Sequence, residues 1–339
     1  MSIHVIKSGL LTTVQDSGRY GYQKYGVIVS GAMDRNSCRL ANLLVGNAPN
    51  AAVLEMTIAG PIIELQEDVL LAICGADMAP VIDGEPVQMN KAVWVRKAST
   101  IKFSSARTGC RTYLAVAGGI DVPLVMDSRS TYLRAGIGGL NGRALQKDDL
   151  LPVGSPSNHA GKVMKQMRDQ ADTGHFREMD WGVSNGFQSD DRDGTIIRTI
   201  PGRQAEWFTD ESRKLFLSEA FTVSTQSDRM GYRLNGPELA LQNKKDLLSE
   251  AVAFGTIQVP PDGNPIVLMA DRQTTGGYPK IGQVITADLP VMAQLKPGEK
   301  IYFNEMKHSE AQELLLENEK HFEQLKVSID LKKEQEGYA

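Results

Sequence analysis

Ser17-Gly18-Arg19-Tyr20-Gly21-Tyr22 returns near the other end of the chain as Ser227-Asp228-Arg229-Met230-Gly231-Tyr232, an offset of 210 residues. Gly26 and Gly236 keep that offset. Glu55 and Gly60 then match Glu250 and Gly255 at an offset of 195, and Ile101 and Phe103 match Ile301 and Phe303 at 200. The anchors keep their order. The drop of 15 is the length of a helical insert over Ser30–Leu44 that the second copy lacks. Ordered self-similarity of this kind marks a duplicated structural unit, so the sequence predicts two related units, one near each end.

Both units read as β. Short apolar and β-branched runs recur at Val53–Ile58, Val69–Ile73, Ala92–Val95, Arg111–Val116, Ile196–Ile200, Phe221–Thr225, Ala251–Val259, Pro265–Met269, Gln283–Thr286 and Lys300–Phe303. Gly, Pro, Asp and Asn separate them, the rhythm of antiparallel sheets that close into barrels or sandwiches. The expected class is mainly β: a barrel over 1–154, a polar connection over 155–194 with some local helix, a second barrel over 195–305, and a C-terminal helix within 306–339. A helix is expected over Arg35–Val45, capped by Asp34 and stopped by Gly46, with Leu40, Ala41 and Leu44 inward. The terminal helix is expected over Glu310–Lys333. Ser309 and Gln312 there have capping-box spacing, and Ala311, Leu315, Phe322, Leu325 and Ile329 form its apolar stripe.

Composition narrows the function classes. The chain has 339 residues with 37 basic and 41 acidic side chains, a net charge of −4, so no general attraction to nucleic acid or anionic membranes operates. The longest apolar run, Val69–Cys74, is strand-sized, and Met1–Leu11 lacks an export pattern; a cytoplasmic protein is expected. Cys38, Cys74 and Cys110 are widely spaced and read as buried apolar groups. His4, His159, His175, His308 and His321 lie outside every Gly-rich motif, so no histidine zinc site is expected. A G-x-S-x-G elbow, a nucleotide-binding glycine fingerprint and an Ala-Met-Lys-Met biotin-attachment site are all absent from the sequence.

Three stretches carry chemistry-bearing groups. Thr12-Thr13-Val14-Gln15-Asp16-Ser17-Gly18-Arg19 places an amide, a carboxylate and a guanidinium beside a strand; Asp16 could take a proton and Arg19 could grip an anion. A tight hairpin with a structural Arg–Asp pair is the other reading of those residues. Gly118-Gly119 through Arg143 adds Ser128, Arg129, Ser130 and Thr131 among glycines, either an anion-binding loop or a sheet corner. Asp271-Arg272-Gln273-Thr274-Thr275-Gly276-Gly277-Tyr278-Pro279-Lys280 packs an Arg, an amide, two hydroxyls, two glycine N–H groups, a phenol and a Lys into ten residues. Such a loop can cradle an anion through its backbone while Arg272 or Lys280 neutralises charge.

Together these strings, with LANLLVGN, CGAD, YLAVAGGIDVP, SRSTYLRAGIGG and GTIQVPPDG, resemble the allophanate hydrolase subunit 2 family, also called biotin-dependent carboxyltransferase-like. The resemblance implies paired cyclophilin-like barrels. A stand-alone chain of this length is similar to the family members that serve as the C subunit of an ATP-dependent 5-oxoprolinase. That enzyme converts 5-oxoproline, ATP (with or without Mg2+) and water to L-glutamate, ADP and phosphate, as a hetero-oligomer that also holds an A subunit and a Kip-inhibitor-like B subunit. The resemblance also admits antagonism of the Kip inhibitor of a sporulation histidine kinase, or a carboxyltransferase role on urea or a related amide. In that light Arg272 or Arg19 would hold the substrate carboxylate. Thr274, Thr275 and the Gly276–Gly277 backbone would hold phosphate or the lactam oxygen, and Asp16 would be the base. Gln15, Arg129, Tyr278 and Lys280 would line the site. The chain departs from the family pattern at Met126-Asp127 and at Lys147-Asp148-Asp149, where glycines are expected.

Overall fold

The computed structural model describes residues 1–171, 174–184, 194–243 and 247–335. These fall into two units: residues 1–19, 30–184 and 322–335 in the first, and 20–29, 194–243 and 247–321 in the second. The architecture is mainly β with few helices, as the sequence implies.

In the first unit two six-stranded sheets enclose one apolar core. One sheet runs Leu150–Pro152, Ser2–Lys7, Ile62–Leu65, Thr100–Lys102, Val81–Ile82, Glu85–Pro86; the other runs Phe176–Glu178, Ala92–Val95, Val69–Asp77, Thr108–Val116, Val53–Thr57, Leu11–Gln15. Side chains alternate across a strand. Val69, Leu71 and Ile73 face the core between the sheets, with Val93, Val95, Leu114 and Val116. Leu70, Ala72 and Cys74 face the other way, with Trp94, Tyr113 and Ala115, onto the helices Arg35–Leu44 and Asn158–Gln170. A sheet covered on both faces needs apolar residues at every position, which accounts for the unbroken run Val69–Cys74.

The helix Arg35–Leu44 starts where expected, its Asp34 carboxylate accepting from the Ser37 N–H at 3.0 Å. Ala41 and Leu44 are fully buried and Leu40 packs partly against the same cluster. The stretch expected as a polar connection over 155–194 carries the local helix expected of it, but its residues 155–171 and 174–184 belong to the first unit rather than linking the two. Ser157 caps the helix Asn158–Gln170, whose Ala160, Val163 and Met167 are buried, and Phe176–Glu178 pairs with Ala92–Val95. Spaced three and four apart, those apolar residues share a face, and burying it draws this stretch into the first unit. Residues 172–173 and 185–193 of that expectation lie outside the described residues.

In the second unit seven strands close a barrel: Thr195–Pro201, Lys280–Val284, Thr256–Gln258, Ile266–Leu268, Gly231–Asn235, Phe221–Val223 and Lys300–Glu305, the last pairing in parallel with the first. Ile197, Tyr232, Ile257, Val267, Ile301 and Phe303 are buried. Phe303 stacks on Phe216 with centroids 4.5 Å apart. The sequence reading missed the helix carrying Phe216, Asp210–Ser218, capped by Thr209.

The terminal helix runs His308–Gln335, two residues earlier than expected, and at its start Glu310 accepts from the Lys307 N–H at 3.1 Å rather than Ser309 forming the cap. Of its expected stripe only Ile329 is fully buried. Lys333 is buried as well, and its ammonium donates to the Leu43 carbonyl at 3.2 Å. Burial pushes Lys333 down to about 8, against a smaller upward pull from Asp330. With the folded pKa below the ordinary 10.5, the unfolded chain binds more protons between about pH 8 and 10.5, and stability rises with pH across that window. Leu43 O also accepts from the Gly46 N–H at 3.1 Å, so removing the ammonium does not strand it. Lys333→Met is expected to stabilise the first unit at pH 7 by about 1–3 kcal/mol. Melting of both proteins should show the gap closing as pH climbs from 8 to 10.5.

Candidate functional site

The first unit gathers the Gln15–Arg19 and Ser128–Thr131 motifs into one buried knot. Asp16 accepts from the Gly18 N–H (2.8 Å), the Ser128 hydroxyl (2.7 Å), the Arg129 N–H (2.5 Å) and the Ser130 hydroxyl (2.5 Å). Arg19 is fully buried; its Nε donates to Val125 O at 2.9 Å and its Nη2 to Ser130 O at 2.8 Å. Arg129 is committed too, through Nε to Val122 O (2.8 Å) and Nη2 to the Asp121 carboxylate (2.9 Å). The Gln15 amide donates to Thr13 Oγ1 at 3.0 Å and to Thr131 O at 3.2 Å. Gly138 lets this knot close: with φ +69°, it lies where a Cβ would fall 2.0 Å from Ser130 O and 2.7 Å from Arg19 Nη2. The departures from the family pattern fall at left-handed positions, Met126 at φ 53°, Asp127 at 60° and Asp148 at 69°. A glycine is expected there because that conformation strains any residue with a Cβ.

The second unit carries an open pocket of about 330 Å³ on the outer face of its barrel. The register explains its floor. Arg233 pairs with Ile266 and Ile266 with Gln258, a row across three adjacent strands; Gly231 pairs with Leu268 beside it. Tyr232, Val267 and Ile257, one residue along each strand, point into the barrel. The walls come from two turns. One brings Gln226, Asp228 and Met230, and the other brings Arg272, Gln273, Thr275 and Tyr278. Two guanidiniums and one carboxylate border the pocket, a net positive rim suited to a small anion.

The Arg272 turn is anchored from beneath. Arg229 and Asp271, each about 5% exposed, form a two-point ion pair at 3.0 and 3.1 Å, and the Asp271 N–H donates to Arg229 O at 2.8 Å. Arg272 Nη1 reaches Met269 O at 3.4 Å, with its guanidinium 5.7 Å from the Phe254 ring centroid. Lys280 is held elsewhere: its ammonium meets Glu250 at 2.6 Å, where Gln204 (2.8 Å) and Arg203 (3.0 Å) also donate. The Lys280 hydrogen bond, then that of Gln204, keeps the Glu250 carboxyl below its ordinary range.

Of the residues singled out in the third motif, Arg272, Thr275 and Tyr278 border the pocket, with Tyr278 about half exposed. Thr274 accepts the Val252 N–H on its backbone oxygen, Gly276 pairs with Glu250, and Gly277 lies beside Ser249. Sequence reasoning missed Gln258, Arg233, Asp228 and Gln226. Gln258 lies within the string GTIQVPPDG, an amide between the buried apolar Ile257 and Val259, and that placement is its signal. Gln258 is 95% buried, and its Nε2 has no hydrogen-bond partner among the described residues.

All three cysteines are buried. Burial pushes the Cys38 and Cys74 thiols well up, which makes them inert at neutral pH. Among the described residues no helix is long and apolar enough to cross a membrane.

Comparison with known proteins bears on this arrangement. The chain is 38% identical over 323 residues to the C subunit of 5-oxoprolinase from Escherichia coli (strain K12), covering 95% of this chain and 97% of that protein. It is 36% identical to the C subunit of 5-oxoprolinase from Haemophilus influenzae, over 94% of this chain and 96% of that one. The solved urea carboxylase of Kluyveromyces lactis superposes with a TM-score of 0.81 at 27% identity, covering 92% of this chain and 28% of that longer chain. Residues 25–305 match the family described as "Carboxyltransferase domain, subdomain A and B". With that match spanning most of its length, the chain belongs to the carboxyltransferase domain, subdomain A and B, family.

Proposed function

We propose that this chain is one component of an ATP-dependent 5-oxoprolinase and that the barrel-face pocket of its second unit receives the substrate. The observation that carries the reading is a pocket of about 330 Å³ bordered by Arg272, Thr275 and Tyr278 and floored by Gln258, whose buried Nε2 has no hydrogen-bond partner among the described residues. That volume is at the small end of ligand pockets and suits a five-membered ring with one carboxylate. Arg272 would take the carboxylate, with Arg233 adding charge, and Thr275 and Tyr278 would donate to oxygens on the ring or its phosphorylated form. The pocket is a poor fit for a nucleoside triphosphate, whose several negative charges would meet only two guanidiniums and an opposing Asp228. The nucleotide, and any Mg2+ with it, is therefore assigned to the complex rather than to this pocket.

The proposed reaction converts 5-oxoproline, ATP and water to L-glutamate, ADP and phosphate, together with an A subunit and a Kip-inhibitor-like B subunit. A lactam is a poor electrophile because amide resonance stabilises it, and phosphorylation of its oxygen would make ring opening feasible. This chain's contribution is to bind and orient the substrate. Asp16, Arg19, Gln15 and Arg129 are assigned to building the first unit's loops, since the Asp16 carboxylate, Arg19 Nε and Nη2, Gln15 Nε2 and Arg129 Nε and Nη2 bond to backbone and side chains of that unit. Relatives named as the C subunit of 5-oxoprolinase, at 36–38% identity over nearly the whole chain, support the reading.

In a mixture of the three subunits, Arg272→Ala is expected to raise KM for 5-oxoproline about 10- to 100-fold, the loss of one charge-assisted contact. Unchanged kinetics would reject the assignment, and full turnover without this chain would reject its place in the complex. The likeness to urea carboxylase favours a second reading, carboxyl transfer to urea or a related amide. Urea-dependent turnover with a biotin-bearing partner, and none with 5-oxoproline, would select it.

A further inference from the structure

Gln258 takes no part in gripping a carboxylate, yet it is a buried amide that borders the pocket. It ends a strand whose neighbours Thr256 and Ile257 are buried in the barrel wall, and it shares a cross-strand row with Ile266. Its Nε2 is shut off from water and lacks a partner among the described residues. A buried amide donor left unpaired costs about 1–3 kcal/mol, so native structures rarely keep one without a use. Gly276 lies directly against it. A Cβ at Gly276 would fall 2.3 Å from Gln258 Nε2 and 3.3 Å from Oε1. Gly276 has no left-handed φ, so backbone conformation does not require a glycine there. What the missing side chain provides is room for the Gln258 carboxamide at the pocket's edge.

We infer that Gln258 is the specificity-determining group of this pocket: its carboxamide recognises a planar amide in the ligand, and Gly276 is kept bare so that it can. A primary amide offers a donor and an acceptor side by side. The complementary partner is a group with a carbonyl oxygen and an N–H on the same edge, which a ring lactam presents and a saturated ring does not. The inference rests on the substrate reading above and deepens it. Arg272 would grip the carboxylate, whereas Gln258 would tell a lactam from other small carboxylates. A site built to hydrogen-bond a ligand group rejects the analogue that lacks it, because its own buried polar atoms are then left unpaired.

The test is calorimetry on the full chain with 5-oxo-L-proline and with cyclopentanecarboxylate, which has the same ring size and carboxylate but no amide. The unaltered protein should prefer the lactam by about tenfold or more. Gly276→Ala should erase most of that preference while leaving the weak binding of cyclopentanecarboxylate in place. The three atoms nearest the added methyl all belong to the end of the Gln258 side chain and none to backbone, so the fold should survive. Gln258→Leu should erase the preference as well, with a melting temperature equal to or above that of the unaltered protein, since it removes an unpaired buried donor. A preference that persists in both variants would overturn the inference. Equal affinity for both ligands in the unaltered protein, abolished by Arg272→Ala, would also overturn it while leaving the carboxylate site standing. Binding of neither ligand would sink both proposals.

Discussion

Asp16→Ala is expected to cost the first unit about 4–5 kcal/mol, near the upper end of what a single substitution does. The reason is the number of donors that converge on this carboxylate. Gly18 N–H, Arg129 N–H and the hydroxyls of Ser128 and Ser130 all point at it, and Asp16 is 7% exposed. Removing the acceptor strands several buried donors at once, each worth about 1–3 kcal/mol. Asp16→Asn should cost less, about 2–3 kcal/mol, because an amide oxygen can still serve the three donors on Oδ1. Its NH2 would then face the Arg129 N–H, donor against donor. Denaturant unfolding followed through Trp94, buried in the same unit, reads both values. A catalytic base would behave differently: Asp16→Asn would leave the unfolding curve in place and abolish turnover. A stable Asp16→Asn protein would therefore overturn the structural assignment.

Asp16 also shows where the sequence stops being legible. The string Gln15-Asp16-Ser17-Gly18 announces a carboxylate at a glycine turn, and the turn is there, with Gly18 donating back to Asp16. That Ser128 and Ser130, more than 110 residues away, close onto the same carboxylate depends on tertiary packing, which local pattern does not encode. The strands were readable because alternation is local. Ala92–Val95 has the expected bounds, and the Val69–Cys74 run lies in a strand buried on both faces. The helix Asn158–Gln170 was blurred by its polar composition, although Ala160, Val163 and Met167 carried a helical stripe. In the pocket, Arg272 was legible from the density of donors around it. Gln258 was not, since its meaning comes from cross-strand register with Ile266 and from contact with Gly276. The duplicated motif was informative in one further respect. Arg19 and Arg229 are both buried, but the first is answered by carbonyls and the second by a carboxylate, so the repeat preserved a buried guanidinium and not its partner.

That second guanidinium supplies the other large effect. Arg229→Met is expected to destabilise the second unit by about 3–5 kcal/mol, the usual cost of leaving one member of a buried ion pair alone. The geometry is favourable to the pair, two parallel contacts at 3.0 and 3.1 Å, so little of the desolvation cost remains uncompensated until a partner is lost. Arg229→Met combined with Asp271→Leu should recover most of the stability, because apolar residues of similar size replace a buried pair at little net cost. The cycle of two single variants and the double variant isolates the coupling. A further consequence separates this pair from a purely structural one. Asp271 immediately precedes Arg272, and its N–H is tied to Arg229 O. Loosening that turn displaces the guanidinium proposed to grip the substrate carboxylate. In the double variant, then, stability should return while KM for 5-oxoproline stays raised, because the ion pair that set the turn's position is gone. If KM recovers together with stability, the pair supports the barrel alone, and Arg272 is positioned by its Met269 and Phe254 contacts instead.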